Sequence, residues 1–229
     1  MHLTNKNILA LALLAIVIPL LSLLNKNSYI FYGKTLAAPV ETIHLVEPVS
    51  TVNLDLMETL KLRKSTKEFT NYRISSQELS TILWAANGIN RKDGKRTAPS
   101  AYGKYFMEIY VASEQGVYRY EPVKHQLIMV SRKNIKSKVA SQKFVGAASH
   151  VLIFTANLNE FPFFVKNDDR IACAYATAGC IGENVYLMTG ALKLGTCLMS
   201  SINKSFIQEN LKLKKNQLPL LSMPIGLPK

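Results

Sequence analysis

The run His150-Val-Leu-Ile-Phe-Thr-Ala156 shows no alternation of apolar and polar residues. A strand built from it is apolar on both faces, and such a strand is stable only when both faces are covered. This chain therefore has to lay helices or loops above and below a central sheet.

The flanking sequence supplies those parts. Ser75 with Glu78 three residues later forms a capping box. Leu79, Ile82, Leu83 and Ala86 then follow the i, i+3, i+4, i+7 stripe of a half-buried helix, with Gly88 as its stop. Trp84 lies off that stripe, placed to pack against a second element or subunit. Asn53 to Leu62 has helical spacing as well. Met107, Ile109 and Val111 alternate with Glu108 and Tyr110, which predicts a strand to about Ala112. Val117–Tyr120 and His125–Val130 complete an antiparallel meander, with His125 in a structural or exposed role. Lys133–Phe144 is expected as a basic amphipathic helix. A long helix is predicted from Asp168 to Leu192, its acids at the N-terminal dipole end and Gly195 as its stop. Its first half is small-faced (Ala172, Ala174, Ala176, Ala178, Gly179, Gly182), which suits a central or interface helix. Thr196–Ile202 is expected as a strand, Lys204–Leu211 as a helix and Leu218–Ile225 as the last strand. The class is α+β.

Ile8 to Leu24 is apolar apart from Ser22, contains one proline and follows Lys6. As a helix it would span about 25 Å, slightly less than a hydrocarbon core. It is expected to act as a signal peptide or an uncleaved signal anchor, so residues 1–24 predict an exported or membrane-anchored protein. Residues 25–50 form a linker or docking arm, and 51–229 the domain proper.

Charge and side-chain chemistry remove several function classes. The chain carries 28 basic and 15 acidic residues, a formal net charge of +13. The cations are scattered and not interleaved with aromatics, which argues against a nucleic-acid groove. Three cysteines (Cys173, Cys180, Cys197) without short paired spacing argue against a disulfide framework and against zinc. The four histidines (His2, His44, His125, His150) are far apart in sequence and form no evident triad or metal cluster. No P-loop, G-x-S-x-G, H-E-x-x-H or G-x-G-x-x-G is present. With no nucleophile signature, chemistry in this domain falls to a cofactor.

The densest cationic feature is Lys61-Leu-Arg-Lys-Ser-Thr-Lys-Glu-Phe-Thr70, with four cations within seven residues. Taken alone it has two readings, a solvated basic turn or an anion site built from Arg, Lys and backbone N–H groups.

Arg63-Lys-Ser-Thr-Lys-Glu-Phe69 resembles the opening Arg-basic-Ser-x-basic-x-Phe signature of the FMN-dependent nitroreductase family. Leu83 to Arg91 followed by Thr97-Ala-Pro-Ser-Ala101 is similar to the branch containing the azoline-oxidising dehydrogenases of peptide natural products. Met107–Val111, Gly116–Tyr120, Gly179–Leu187, Leu194-Gly-Thr196 and Met223–Lys229 fall in the family's order, so the resemblance covers residues 52–229. It implies a three-layer fold with a mixed, mainly antiparallel sheet, a long central helix and a homodimer. It further implies that Arg63, Ser65 and Lys67 hold the FMN phosphate and ring edge, with Lys64 adding backbone N–H or charge. Pro99, Ser100 and Ala101 would approach the ring from the other subunit, with Tyr102 and Gly103 beside them. Leu198 and Met199 would lie along the opposite side, and Lys229 is the terminal basic residue.

Two places depart from the family pattern. The turn after the Leu-Gly-Thr strand lacks its usual glycine, and no basic tail follows Gly226-Leu-Pro-Lys229. The azoline-oxidising branch uses a Lys/Tyr pair, for which this chain shows only the adjacent Lys104 and Tyr105. The expected activity is hydride transfer through flavin N5 to or from a small organic substrate, with NAD(P)H as a possible reductant. Alternatives are oxidation of peptide-derived azoline rings, or an exported flavin-fold protein that binds a ligand without turnover. No catalytic acid or base and no metal ligand is implied.

Overall fold

The computed structural model describes residues 41–229. The segment expected to be a signal peptide or anchor lies outside the described residues. Among the described residues no helix is long and apolar enough to cross a membrane.

Seven strands form one sheet: β1 (Thr42–His44), β2 (Met107–Ala112), β3 (Val117–Glu121), β4 (Gln126–Ser131), β5 (His150–Asn157), β6 (Gly195–Thr196) and β7 (Gln217–Gly226). Their spatial order is β1-β4-β3-β2-β5-β7-β6, and every named pair is antiparallel. A parallel pairing enters through the isolated bridge between Ser65 and Thr196. The stretch expected as a linker or arm thus supplies the edge strand β1 from residue 42, paired with β4.

Among the described residues five α-helices flank the sheet: α1 (Leu56–Leu62), α2 (Ser76–Asn87), α3 (Phe144–Ala147), α4 (Asn167–Ala191) and α5 (Lys204–Asn210). Strand β5 shows why they must. Leu152, Phe154 and Ala156 enter one apolar cluster with Ile82 and Leu83 of α2 and Ile181 and Val185 of α4. Val151 and Ile153 enter a second cluster on the other face, with Val139, Val145 and Ile207. Neighbouring β2 splits the same way, Ile109 and Val111 to one cluster, Tyr110 and Ala112 to the other. The result is three layers.

Helix α2 begins as its capping box dictates: Ser75 Oγ accepts from Glu78 N, and the Glu78 carboxylate accepts from Ser75 N. It ends at Gly88 in extended rather than left-handed backbone. A Cβ there would lie 2.5 Å from Trp84 Cδ1, so glycine is required by close approach to the indole.

Three expected elements are corrected. Lys133–Phe144 is not a helix but a 3-10 turn at Lys136–Lys138 followed by the short α3. Ser131 and Asn134 side chains capture the N–H groups of Lys133 and Lys136, and Ala140 pairs with Ile202 in a bridge. Local side-chain acceptors and tertiary pairing override the helical period. The strand expected at Thr196–Ile202 stops after Thr196, because the Leu198 N–H is taken by the Tyr186 hydroxyl at 2.8 Å. Helix α4 stops at Ala191, and the left-handed residue beyond it is Lys193 (φ 59°), not Gly195.

Candidate functional site

The basic segment after α1 is neither a turn nor a free loop. Arg63 caps α1, its N–H bonding back to Thr59 and Leu60. The chain then runs extended along the end of the sheet. Ser65 bridges Thr196, and Thr66 N donates to Thr196 O at 2.8 Å. Phe69 bridges Pro228, Thr70 N donates to Leu227 O at 2.9 Å, and Lys229 N donates to Glu68 O at 3.3 Å. Thr66 and Phe69 are buried, while Arg63, Lys64, Ser65 and Lys67 face solvent. Two glycines make this seat possible. A Cβ on Gly195 would lie 2.6 Å from Thr66 Oγ1, and one on Gly226 would lie 2.9 Å from Phe69 Cδ1.

Tyr186 of α4 ties this rail to the next segment. Its hydroxyl accepts from Leu198 N at 2.8 Å and lies 2.9 Å from Ser65 Oγ. Either hydroxyl can donate in the Tyr186–Ser65 bond, so Leu198, Tyr186 and Ser65 form one connected hydrogen-bond chain. The Arg63 guanidinium lies over the Tyr186 ring, 5.3 Å from its centroid. Gly182, one turn earlier, makes room for Leu198, whose Cδ1 would be 3.1 Å from an added Cβ. Tyr186 was not singled out from sequence. Its signal was the i, i+4 pair Gly182/Tyr186, a small residue and a phenol on one helix face.

The electrostatics of the rail favour an anion. Among the described residues, ion pairs join Arg73 to Glu114, Lys95 to Asp93 and Arg132 to Glu41; none reaches Arg63, Lys64, Lys67 or Lys229. Thr196 Oγ1, beside Ser65 in the bridge, is buried and has no hydrogen-bond partner among the described residues. Uncompensated cations beside an orphaned hydroxyl fit a phosphate-bearing ligand with polar ring edges. Met199 turns its side chain into the second cluster and pairs its backbone with Ser222, while Leu198 is half-buried against the first.

The structure therefore gathers Arg63, Lys64, Ser65, Lys67, Leu198, Met199 and Lys229 around the β6–β7 end of the sheet. Pro99 to Gly103 form a separate group. Ala101–Gly103 is a 3-10 turn with Tyr102 (φ 57°) and Gly103 (φ 64°) in left-handed backbone, and Ser100 donates to the Lys104 carbonyl. The exposed Tyr102 ring meets Phe161 and Phe164 edge-on at 6.3 and 6.2 Å. Among the described residues no hydrogen bond or ring contact joins this loop to the rail. Tyr105 carries the Arg96 guanidinium on its ring at 4.3 Å, and Lys104 is exposed.

The remaining titratable groups of interest lie elsewhere. His125 is held between Ser80 Oγ at 2.7 Å and the Tyr120 hydroxyl at 2.9 Å, and burial pushes its pKa down. The cysteines are free, and no cluster of three or more His, Cys, Asp or Glu occurs among the described residues.

Comparison with known proteins agrees with this geometry. MJ1384 of Methanocaldococcus jannaschii, named as a nitroreductase, is 34% identical over 183 residues, 76% of this chain and 91% of its own length. A crystal structure from Ralstonia eutropha JMP134, likewise named as a nitroreductase, is 37% identical with a TM-score of 0.78, covering 85% of this chain and 92% of the other. The Escherichia coli microcin synthetase McbBCD complex with truncated pro-MccB17 bound has a matching chain at 16% identity and a TM-score of 0.66, covering 87% and 86%. At that identity it shows a shared fold alone. The family model for nitroreductases matches residues 60–227, from the end of α1 through strands β2 to β7, the last of them beneath the rail. With the family model covering most of its length and a relative 34% identical, this chain belongs to the nitroreductase family.

Proposed function

We propose that the protein is an FMN-dependent oxidoreductase acting on a small organic substrate. The observation that carries this reading is the rail: cations without carboxylate partners, fixed on bridged backbone beside the Ser65–Tyr186–Leu198 chain. Arg63, Lys64 and Lys67 would hold the phosphate and ring edge by charge-assisted hydrogen bonds. Ser65, oriented by Tyr186, would present a hydroxyl to the ring edge, and Leu198 would flank the ring. When bound, FMN supplies hydride transfer through N5. The protein's part is to fix the ring, position the substrate and limit water.

The same proposal includes a homodimer. Leu56, Met57, Leu60 and Leu62 of α1 are exposed in the single chain, Leu56 by 64%. Leu56 also lines a groove together with Leu54, Trp84, Leu187 and Met188. A second copy covering this apolar surface would bring its Pro99–Gly103 loop to the flavin. Residues 8–24 make export part of the reading. Outside the cytoplasm NAD(P)H is scarce, so a different electron carrier would have to serve as reductant.

A visible spectrum of the purified protein, before and after incubation with FMN, tests the assignment. Flavin absorbance that co-migrates with the protein is expected. A colourless protein that takes up no FMN overturns it.

A further inference from the structure

Beyond Phe69 the chain leaves the rail and lines a second, unrelated cavity of about 590 Å³. Its walls come from residues 70–76, the β2–β3 hairpin tip and the approach to β5. None of Arg63 to Lys67 lines it.

Lys136 is the unusual member of this wall, being only 5% exposed. Its ammonium donates to Ala148 O at 2.7 Å and Ser149 O at 3.3 Å. Among the described residues no carboxylate forms an ion pair with it. An ammonium has three hydrogens, so one donor remains after those two carbonyls. A charged amine held inside a fold with no contacting counter-ion is costly: burial pushes the Lys136 pKa down, the Glu114 charge only partly opposes this, and a bound anion would offset the cost.

His150, also on the wall, adds a second donor. Ser149 Oγ accepts from Ile74 N at 3.0 Å and keeps its own hydrogen free for His150 Nδ1, 3.0 Å away. When Ser149 Oγ donates to Nδ1, the neutral ring carries its hydrogen on Nε2, and Nε2 has no partner among the described residues. Burial, and next the Lys136 charge, hold the His150 pKa down at about 4, so the ring stays neutral at ordinary pH and in that tautomer offers Nε2–H as a donor. Arg73 supplies a third donor group and is paired with Glu114 at 2.6 Å. The nearby Glu78 carboxylate is engaged by Ser75 N, Ser75 Oγ and the Tyr72 hydroxyl. The wall thus sets two cations and a neutral N–H donor against the one carboxylate of Glu114.

We propose that this cavity is a binding site for a compact oxyanion, a carboxylate or phosphate group, held by Lys136, His150 and Arg73. An acceptor-only group matches a wall dominated by donors. The site stands apart from the flavin reading and does not depend on it.

Imidazole NMR of the full protein tests this at constant ionic strength, with inorganic phosphate and acetate as separate probes. The His150 signal is assigned by its loss in His150→Gln. A saturable shift of that signal, with a rise in its apparent pKa, is expected for one probe or both. Saturation by phosphate alone points to a phosphate ester, and saturation by acetate to a carboxylate. The response should disappear in Lys136→Met. If that variant does not fold, Arg73→Gln should weaken binding and Glu114→Gln should tighten it. A His150 signal that ignores both probes, or drifts linearly and equally in wild type and these variants, overturns the proposal. Flavin content, read on the same samples, reports separately on the rail.

Discussion

The Tyr186 hydroxyl lies 2.9 Å from Ser65 Oγ while accepting the Leu198 amide, so one phenol on the central helix sets two of the three segments around the rail. Replacing Tyr186 with Phe removes that oxygen and keeps the ring under Arg63. The Leu198 N–H then loses its partner, which costs about 1–3 kcal/mol in a desolvated setting. Tyr186→Phe should therefore melt earlier and retain less FMN, whereas Ser65→Ala should lose flavin with little change in melting. Thermal melts paired with flavin-to-protein ratios separate the two effects.

Arg63 is exposed, lies on a ring and has no carboxylate partner, so its removal should hardly touch the fold. A charge-assisted hydrogen bond to phosphate contributes roughly 1.5–3 kcal/mol, or about tenfold to a hundredfold in Kd. Arg63→Ala combined with Ser65→Ala should weaken FMN binding by at least the lower figure while the melting curve stays close to wild type. Fluorescence titration of the apoprotein with FMN measures this. Unchanged affinity would show that the phosphate sits elsewhere.

Much of the architecture was legible because composition alone decided it. The run His150–Ala156 has no polar face to expose, and the structure splits it between two clusters. The Ser75/Glu78 cap is a local rule, and it holds. Lys133–Phe144 misled because its helical spacing reflects Ile135, Val139, Ala140 and Phe144 packing on the sheet from an irregular chain. The helical spacing of Leu56, Met57 and Leu60 was real, but among the described residues nothing covers them and all three stay exposed. Tyr186 was illegible for a different reason. Its partners are 121 and 12 residues away, and neither separation carries a pattern.

His150 gives a pH dependence with a definite sign. Its pKa falls from the ordinary 6.5 to about 4 in the folded protein. Between those values the unfolded chain binds the proton more readily, so stability is complete above pH 6.5 and is lost as pH falls toward 4. The loss is on the order of 3 kcal/mol. His125, also pushed down by burial, acts in the same direction. Melting followed from pH 7 to 4 in phosphate-free buffer should decline, and His150→Gln should flatten the decline.

Gly195 is predicted to be intolerant of a side chain even though its backbone is ordinary. A Cβ would lie 2.6 Å from Thr66 Oγ1 and 2.7 Å from Thr66 Cβ, and Thr66 is pinned to Thr196 O. Gly195→Ala should cost about 1–3 kcal/mol through overpacking and push the rail off the sheet. Lower melting together with lower flavin content is the expected pair of readings. Gly179, where an added Cβ meets nothing within 4 Å, is the control, and Gly179→Ala should leave the fold intact.

The apolar face of α1 offers the most direct test of the dimer. Leu56, Met57, Leu60 and Leu62 are exposed on one short helix whose buried contact is Thr59. Charges placed there cost a monomer almost nothing but would be forced into the centre of an interface. Leu56→Glu with Leu60→Glu should give a folded monomer by sedimentation, with an unchanged circular dichroism spectrum. If the Pro99–Gly103 loop of a second copy completes the flavin site, the same variant should also lose FMN, although neither substitution touches the rail. A monomer that keeps its flavin would separate the two halves of the proposal and place the whole site within one chain. A dimer that survives both charges would show that α1 is not the interface.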